Sequence, residues 1–344
     1  MNNNINAPIQ GRCLLCQSQG RQLYRSLSDH LFHSPGKWSF YYCPNIRCSL
    51  IWLVPKPTPE DMGSLYFNYY THDNQAGQPH ALKLVYDVAR QGYLQVKYAY
   101  RHGAGSIWYR LLSFMVFLHP LGVRHAQATV LFLESPAPNN RLLDVGCGNG
   151  AMLDRMERLG WDVEGIETDP VAYKLAGAKR SKVYLSELAG RKYADDLFDV
   201  IILNHVLEHT SDPIRLIKEC HRILKSSGRM VIVTPNALSF GHRHFKESWR
   251  GLEPPRHLYI FNTKNIRIIA EASGFDINRS RLLTRVTDML AISLGISKDG
   301  NSEQSPNRPL TGRNIHSILL SYWERLLLVF DSSAGEELIF VARK

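Results

Sequence analysis

No segment of this 344-residue sequence is a comfortable membrane span. The most apolar stretch, SIWYRLLSFMVFLHPLGV at 106–123, carries Arg110 and is interrupted by Pro120. It therefore reads as a core or cap helix, or as a helix lying on a membrane surface. The opening MNNNINAPIQGR lacks the apolar centre of a secretory signal, so a cytoplasmic location is expected and the six cysteines read as thiols rather than disulfides. Two phosphate-binding signatures are also missing. There is no G-x-x-x-x-G-K-[ST] loop, and the one glycine-rich turn departs from G-x-G-x-x-G, which argues against a P-loop nucleotide and a dinucleotide. Acidic residues are the scarcer charge, 31 Asp and Glu against 41 Lys and Arg, a net +10. That balance suits an anionic partner, whether a nucleotide-linked small molecule, RNA or an acidic membrane surface, without choosing among them. Hydrophobic residues at 44 % and charged residues at 21 % exclude wholesale disorder.

Four of the six cysteines fall in two knuckles, CLLC at 13–16 and CPNIRC at 43–48. Cys13, Cys16, Cys43 and Cys48 have the spacings of a tetrahedral zinc site, and the stretch between them is long enough for a short hairpin. We read residues 1–58 as a zinc-ribbon-like module with structural Zn2+, closed by the proline-rich VPKPTPED. Residues 59–138 read as a helical cap and linker ending in SPAPNN, and 139–344 as the main domain, with a helical insertion near 286–333 that contains the polar run at 297–314.

From 141 onward strands and helices alternate. RLLDVG is followed by AMLDRMERLG, WDVEGIE by a helix opened by Asp169 and Pro170, then KVYL, FDVIILN, a helix from Asp212 through Leu224, GRMVIVTPN, TKNIRIIAEASGF closed by Gly274, and ELIFVAR. This pattern predicts an α/β, doubly wound, Rossmann-like parallel sheet. Such a sheet binds its ligand beyond the carboxyl ends of its strands, where the turn DVGCGNG lies. One strand later Glu167 stands where a carboxylate accepts hydrogen bonds from both hydroxyls of a ribose. The expected ligand thus has a ribose and no pyrophosphate.

Asp144, Gly146, Gly148, Gly150 and Glu167 together resemble the first motif and second-strand acid of the class I S-adenosylmethionine-dependent methyltransferases. FDVIILNHVLEHTSDP at 198–213 and RILKSSGRMVIVTPN at 222–236 are similar to that family's fourth and fifth strand segments. WRGLEPPRHLYIFN at 249–262 resembles its bacterial small-molecule branch, met in quinone and surface-saccharide synthesis. The resemblance implies a seven-stranded sheet and S-adenosyl-L-methionine as cofactor, with the glycine turn against its methionine and sugar and Glu167 on its ribose. It extends the binding set to Cys147, Thr168, Asn204 and His205. In place of the family's adenine-contacting acid, the third-strand exit offers Glu187 and Leu188.

Methyl transfer asks mainly for alignment and exclusion of water, with a base where the acceptor is a hydroxyl. His257 is the first candidate for that base, then His205, then His244. The acceptor is expected to be a saccharide, nucleotide-sugar or quinone-like metabolite. Arg243, Lys246, Arg250 and Arg256 form a locally basic stretch that either receives an anionic group or is a solvated face. HVLEH at 205–209 fits H-x-x-E-H, yet it follows a strand directly instead of lying inside a long helix, which argues against a zinc protease. Two alternatives stand beside the leading reading: an RNA methyltransferase gripping its substrate with the ribbon, and a non-enzymatic zinc-binding scaffold. The NHVL at 204–207 in place of an N-P-P-Y signature speaks against the first, and the intact turn and acid against the second.

Overall fold

The computed structural model describes residues 11–58, 61, 65, 81–100, 113–118, 122–177, 182–285, 287, 289–299 and 315–344. Most of the apolar stretch at 106–123, and 300–314 of the polar run, lie outside the described residues.

The main domain is a seven-stranded sheet. Its strands are β4 (Arg141–Val145), β5 (Asp162–Glu167), β6 (Val183–Leu185), β7 (Phe198–Asn204), β8 (Leu224–Pro235), β10 (Asp276–Arg285) and β11 (Glu337–Arg343), in the spatial order β10-β11-β8-β7-β4-β5-β6. Every neighbouring pair is parallel except the two made by β11, which runs antiparallel to both β8 and β10. The apolar runs in LLDV and DVIIL follow from burial on both faces, as a central parallel strand requires. The chain moves outward from β4 to β6 and then crosses back to β7 on the other side of β4, so a switch point lies between β4 and β7. β10 is the strand that the alternation pattern alone did not reveal. Its partly exposed sequence, DINRSRLLTR, has no clean period of two.

The crossover helices begin where the sequence places start signals. Asp212 caps the helix Pro213–Ile223, its carboxylate accepting from Arg215 N at 3.0 Å with Pro213 in the first turn. Asn262 and Asn265 form a reciprocal capping box on Thr263–Ala272, and Gly274, at φ +98°, ends that segment in the left-handed region. Helices Ala81–Tyr98, Met115–Leu118 and Gly122–Thr129 share a small core of their own around Tyr93, Leu94, Val116 and Ala126. Met289–Asp299 and Ile315–Phe330 stand between β10 and β11. Among the described residues, no helix is long and apolar enough to cross a membrane.

The N-terminal strands β1 (Arg21–Leu27), β2 (Trp38–Tyr42) and β3 (Ile51–Val54) form an antiparallel sheet whose fourth strand, β9 (Tyr259–Ile260), comes from the main domain. Ile51 pairs with Ile260 and Trp52 with Tyr259, and Leu53 N donates to Leu258 O at 3.0 Å. One hydrophobic cluster runs from Trp38, Phe40 and Leu53 through Ile260 and Phe261 to Leu203 and Phe340. The strands that flank the cysteine knuckles and the main sheet are thereby packed on a common core.

Candidate functional site

The turn after β4 needs glycine for two separate reasons. Gly146, Gly148 and Gly150 have φ of +71°, +55° and +80°, a region that other residues enter at a cost. A Cβ on Gly146 would also lie 2.6 Å from Val206 Cγ2, so the turn is pressed against the exit of β7. Gly146 N and Cys147 N both donate to Ile166 O, at 2.8 and 3.0 Å, which ties the turn to β5. At the tip of β5, Glu167 Oε2 accepts from Gly148 N at 2.7 Å, while Oε1 accepts from Thr168 N at 2.7 Å and Asp169 N at 2.9 Å. The acid therefore fixes the glycine turn relative to the second strand, and with three of its roughly four lone-pair sites used it keeps about one for a ligand's hydroxyl.

Asp144, beneath the turn, is 2 % exposed, and its Oδ1 has no hydrogen-bond partner. Burial first, and the negative charge of Glu167 second, push its carboxyl up to about 8. A buried carboxylate oxygen left unsatisfied costs about 1–3 kcal/mol, which an ammonium or hydroxyl of a ligand would recover. The donor set of this cradle, an orphaned buried acid, a turn of glycines at positive φ and a carboxylate at the tip of the second strand, fits S-adenosylmethionine.

The cysteine knuckles converge. Cys13 and Cys48 Sγ are 3.6 Å apart, Cys16 and Cys43 Sγ are 3.3 Å apart, and all four sulfurs lie within 4.8 Å of one another. Four thiolates at about 2.3 Å from a tetrahedral zinc stand about 3.8 Å from each other, so the donor set fits that ion. Main-domain side chains hold the second knuckle in place: Asn262 and Asn265 Nδ2 both donate to Cys48 O at 3.3 Å, and Lys264 Nζ donates to Ile46 O at 2.7 Å.

Residues 119–280 match the family described as a methyltransferase domain. The chain carries a class I methyltransferase domain, the S-adenosylmethionine-dependent kind. Among relatives, it is 36 % identical over 112 residues to a ubiquinone biosynthesis O-methyltransferase of Cereibacter sphaeroides, covering 30 % of this chain and 45 % of that protein. It is 32 % identical over 129 residues to the protein of that name in Pelagibacter ubique, covering 34 % and 54 %. The chain thus spans about half the length of the curated relatives it matches. A solved SAM-dependent methyltransferase from Archaeoglobus fulgidus aligns over 69 % of this chain and 100 % of its own, at 18 % identity and a TM-score of 0.45.

Within the methyltransferase domain, the other residues singled out in the sequence occupy distinct settings. Cys147 points its sulfur into the core beside Gly165, whose added Cβ would lie 2.9 Å from that sulfur. Thr168 is exposed beyond Glu167, and Asn204 is half-buried at the end of β7. Glu187 is exposed, whereas Leu188 is buried in the main cluster. His244 is exposed, stacked on Phe240 at 5.4 Å between ring centroids.

His205 has φ +56° and lies between two carboxylates, Nδ1 at 2.9 Å from Glu208 Oε1 and Nε2 at 3.1 Å from Glu337 Oε1. Burial alone would lower its pKa, but Glu337 and Glu208 outweigh burial and bring it up to about 10. The ring is an imidazolium at neutral pH and takes no further proton. His257 is the opposite case. It is 3 % exposed, its Nδ1 lies 2.7 Å from Gly251 O, and burial lowers its pKa to about 4. The basic stretch turns inward at two positions: Arg250 pairs with Glu253, and Arg256 pairs with Asp29 Oδ2 and Glu253 Oε1, each at 2.9 Å. Arg243 pairs with Asp331, and Lys246 is exposed.

Sequence reasoning missed the counter-charges Glu253 and Glu337 and the bridging role of His242. The His242 ring lies 2.7 Å from Ala237 O on one side and 3.0 Å from Tyr24 Oη on the other. It also passed over Glu208 and His209, which meet His257 in a second group of metal-type ligands, their donor atoms within 4.8 Å of one another. The stretch HVLEH contained the signal, but the partner that completes it lies some fifty residues on.

Proposed function

We propose that this chain transfers the methyl group of S-adenosylmethionine to an oxygen of a small hydroxylated metabolite of the quinone, saccharide or nucleotide-sugar class. The observation that carries the reading is the cradle of Asp144, the three glycines and Glu167, pinned at the switch point of the sheet. When bound, S-adenosylmethionine supplies an already activated methyl group for in-line displacement. Asp144 and Glu167 hold the cofactor from below and from the ribose side. The turn, pressed on Val206, fixes where the acceptor approaches.

Oxygen as the accepting atom is supported by the relatives named O-methyltransferase. Their ubiquinone-type acceptor extends to this chain as one member of the proposed class. Of the three histidines expected to act on the acceptor, only His257 combines a neutral ring with a position beside the β7 exit, where Leu258 N donates to Glu208 O at 2.7 Å. The four cysteines hold a structural zinc in this reading. Peripheral contact with an acidic membrane is supported by the exposed Leu319, Tyr322, Trp323, Leu326, Val329 and Phe330 of the helix Ile315–Phe330 and by the positive net charge.

The test is transfer of radiolabelled methyl from S-adenosylmethionine into fractionated bacterial extract, wild type beside Glu167→Ala. Label in nuclease-resistant small-molecule, lipid or glycan material, lost in the variant, supports the reading. Label in nuclease-sensitive material would replace it with an RNA acceptor, and no binding of S-adenosylmethionine to the zinc-loaded protein would sink the enzyme altogether.

A further inference from the structure

We propose that Glu208, His209 and His257 form a second metal site, binding a divalent transition cation at the exit of β7. Two imidazoles and one carboxylate, each offering a donor atom within 4.8 Å of the others, are the ligand set that suits zinc or a neighbouring first-row ion. A second observation points the same way. Glu208 is fully buried and gives Oε1 to His205, yet its Oε2 has no hydrogen-bond partner. A carboxylate oxygen held in the interior without a donor is costly, and a cation removes the cost.

The two imidazoles are set as metal ligands commonly are. His209 Nδ1 lies 3.1 Å from Arg256 O and His257 Nδ1 lies 2.7 Å from Gly251 O. A ring that donates from Nδ1 to a carbonyl carries its lone pair on Nε2, and this backbone anchoring fixes both tautomer and ring direction. The rings meet edge to face with centroids 4.7 Å apart. The Leu258 N to Glu208 O bond, 2.7 Å, locks the two ligand-bearing segments together. His205, held against Glu208 Oε1, acts as a second-layer partner that orients the carboxylate. Glu253 Oε2, 3.6 Å from His257 Nε2, and the buried Arg250 and Arg256 complete the surrounding charges.

Three protein ligands leave a coordination position open. Val206, which presses on Gly146, is two residues from Glu208, so the segment that carries the carboxylate follows directly on the contact with the cofactor turn. Resting on the function proposed above, the open position takes an oxygen of the acceptor, and His257 then serves the cation in place of the acceptor's proton.

The cation itself is tested without cofactor or acceptor. Zinc-loaded protein, desalted, is counted for metal, and then titrated with cobalt(II) after the non-cysteine site has been emptied by a mild chelator. Two zinc ions per chain are expected, together with a cobalt site that lacks thiolate charge-transfer absorption. His257→Gln and, as the variant closest in shape, Glu208→Gln should each lower the count to one, weaken the cobalt site at least tenfold and leave the cysteine site's charge-transfer band intact. A wild type that holds one ion, bound by cysteine, overturns the site, as does a folded variant that keeps both. If either variant unfolds by circular dichroism, the other decides, and the wild-type count decides if both do. Calorimetry with S-adenosylmethionine, run separately, tells a failure of the enzyme reading from a failure of the site.

Discussion

The four cysteines and the group Glu208, His209 and His257 are two largely buried clusters of metal-type side chains, and they are built in opposite ways. The cysteine set is two local knuckles closed by one antiparallel sheet, each knuckle carrying its ligands within a few residues. The Glu208 set joins the exit of β7 to the turn before β9, and only the packing of the main domain brings them together. Local spacing advertises the first to a reader of sequence, whereas the second shows only Glu208 and His209 until the fold brings His257 to them. The difference also sets the environment. The first is built from its own two knuckles and braced by Asn262, Asn265 and Lys264, while the second shares its carboxylate with His205 and its surroundings with Arg250, Glu253 and Arg256.

Disrupting the cysteine set should have the largest effect. Stripping zinc with a strong chelator, or replacing Cys43 by Ser, should unfold residues 11–54, since structural zinc contributes on the order of 10 kcal/mol in small modules at neutral pH. Because β3 holds β9, the loss should propagate to the His257 turn, whereas His257→Gln should leave the ribbon folded. Limited proteolysis with mass mapping of the fragments checks this asymmetry. Symmetrical damage would break the contrast between a locally built site and one assembled from distant segments.

Next come the buried charges around the second set. Arg256→Met leaves Asp29 buried without its guanidinium and Glu253 with Arg250 alone, which should cost about 3–5 kcal/mol in chemical denaturation. His205→Gln should cost a similar amount, because Glu208 and Glu337 lose the cation between them. The His205 contribution has a definite sign. Its folded pKa, about 10, lies above the ordinary histidine value, so its stabilisation is complete below about pH 6.5 and is lost as pH rises toward 10. The variant should therefore show a flatter stability profile between those limits. An unchanged slope would remove His205 from the account.

A smaller effect is expected at the cofactor cradle. Glu167→Ala should weaken S-adenosylmethionine binding at least tenfold, about 1.4 kcal/mol or more, by calorimetry. Asp144 adds a pH dependence. Its folded carboxyl titrates near 8, far above the unfolded value, so the folded state holds a proton that the unfolded state has lost across that interval, and its burial costs the apo protein stability as pH rises toward 8. Cofactor binding to the carboxylate form should release that proton, so affinity should rise with pH up to about 8, and Asp144→Asn should abolish the trend. Heats measured in buffers of different ionisation enthalpy count the proton directly.

The smallest effect is at the surface. Trp323→Ser with Leu326→Ser should leave folding unchanged, since both side chains are exposed, and should reduce sedimentation with anionic vesicles several-fold. Equal sedimentation of variant and wild type would remove membrane contact from the proposed function.

Much of the architecture was legible because it rests on local rules. Period and burial mark β4, β5, β7, β8 and β11, Asp212 with Pro213 and Asn262 mark helix starts, and glycine at positive φ marks the turn after β4. Asp144 and Glu167 were legible for the same reason, each standing at a fixed offset from a strand end. The cysteine knuckles needed only spacing.

What depended on distant segments was decided by tertiary structure alone. The pairing of β9 with β3, the conversion of Arg250 and Arg256 from an apparent basic face into buried ion pairs, and the protonation states of His205 and His257 follow from which groups meet after collapse. A histidine's sequence neighbours do not set its charge. Desolvation and the carboxylates packed against it do, and these arrive from β11, from the β7 exit and from the turn before β9. The sequence by itself determined most of the strands, the helix ends, the glycine turn and the two cysteine knuckles, because each is a property of a few adjacent residues. The tertiary structure decided which histidine is cationic, which is neutral, and which acids face them, because those are properties of a shared low-dielectric interior.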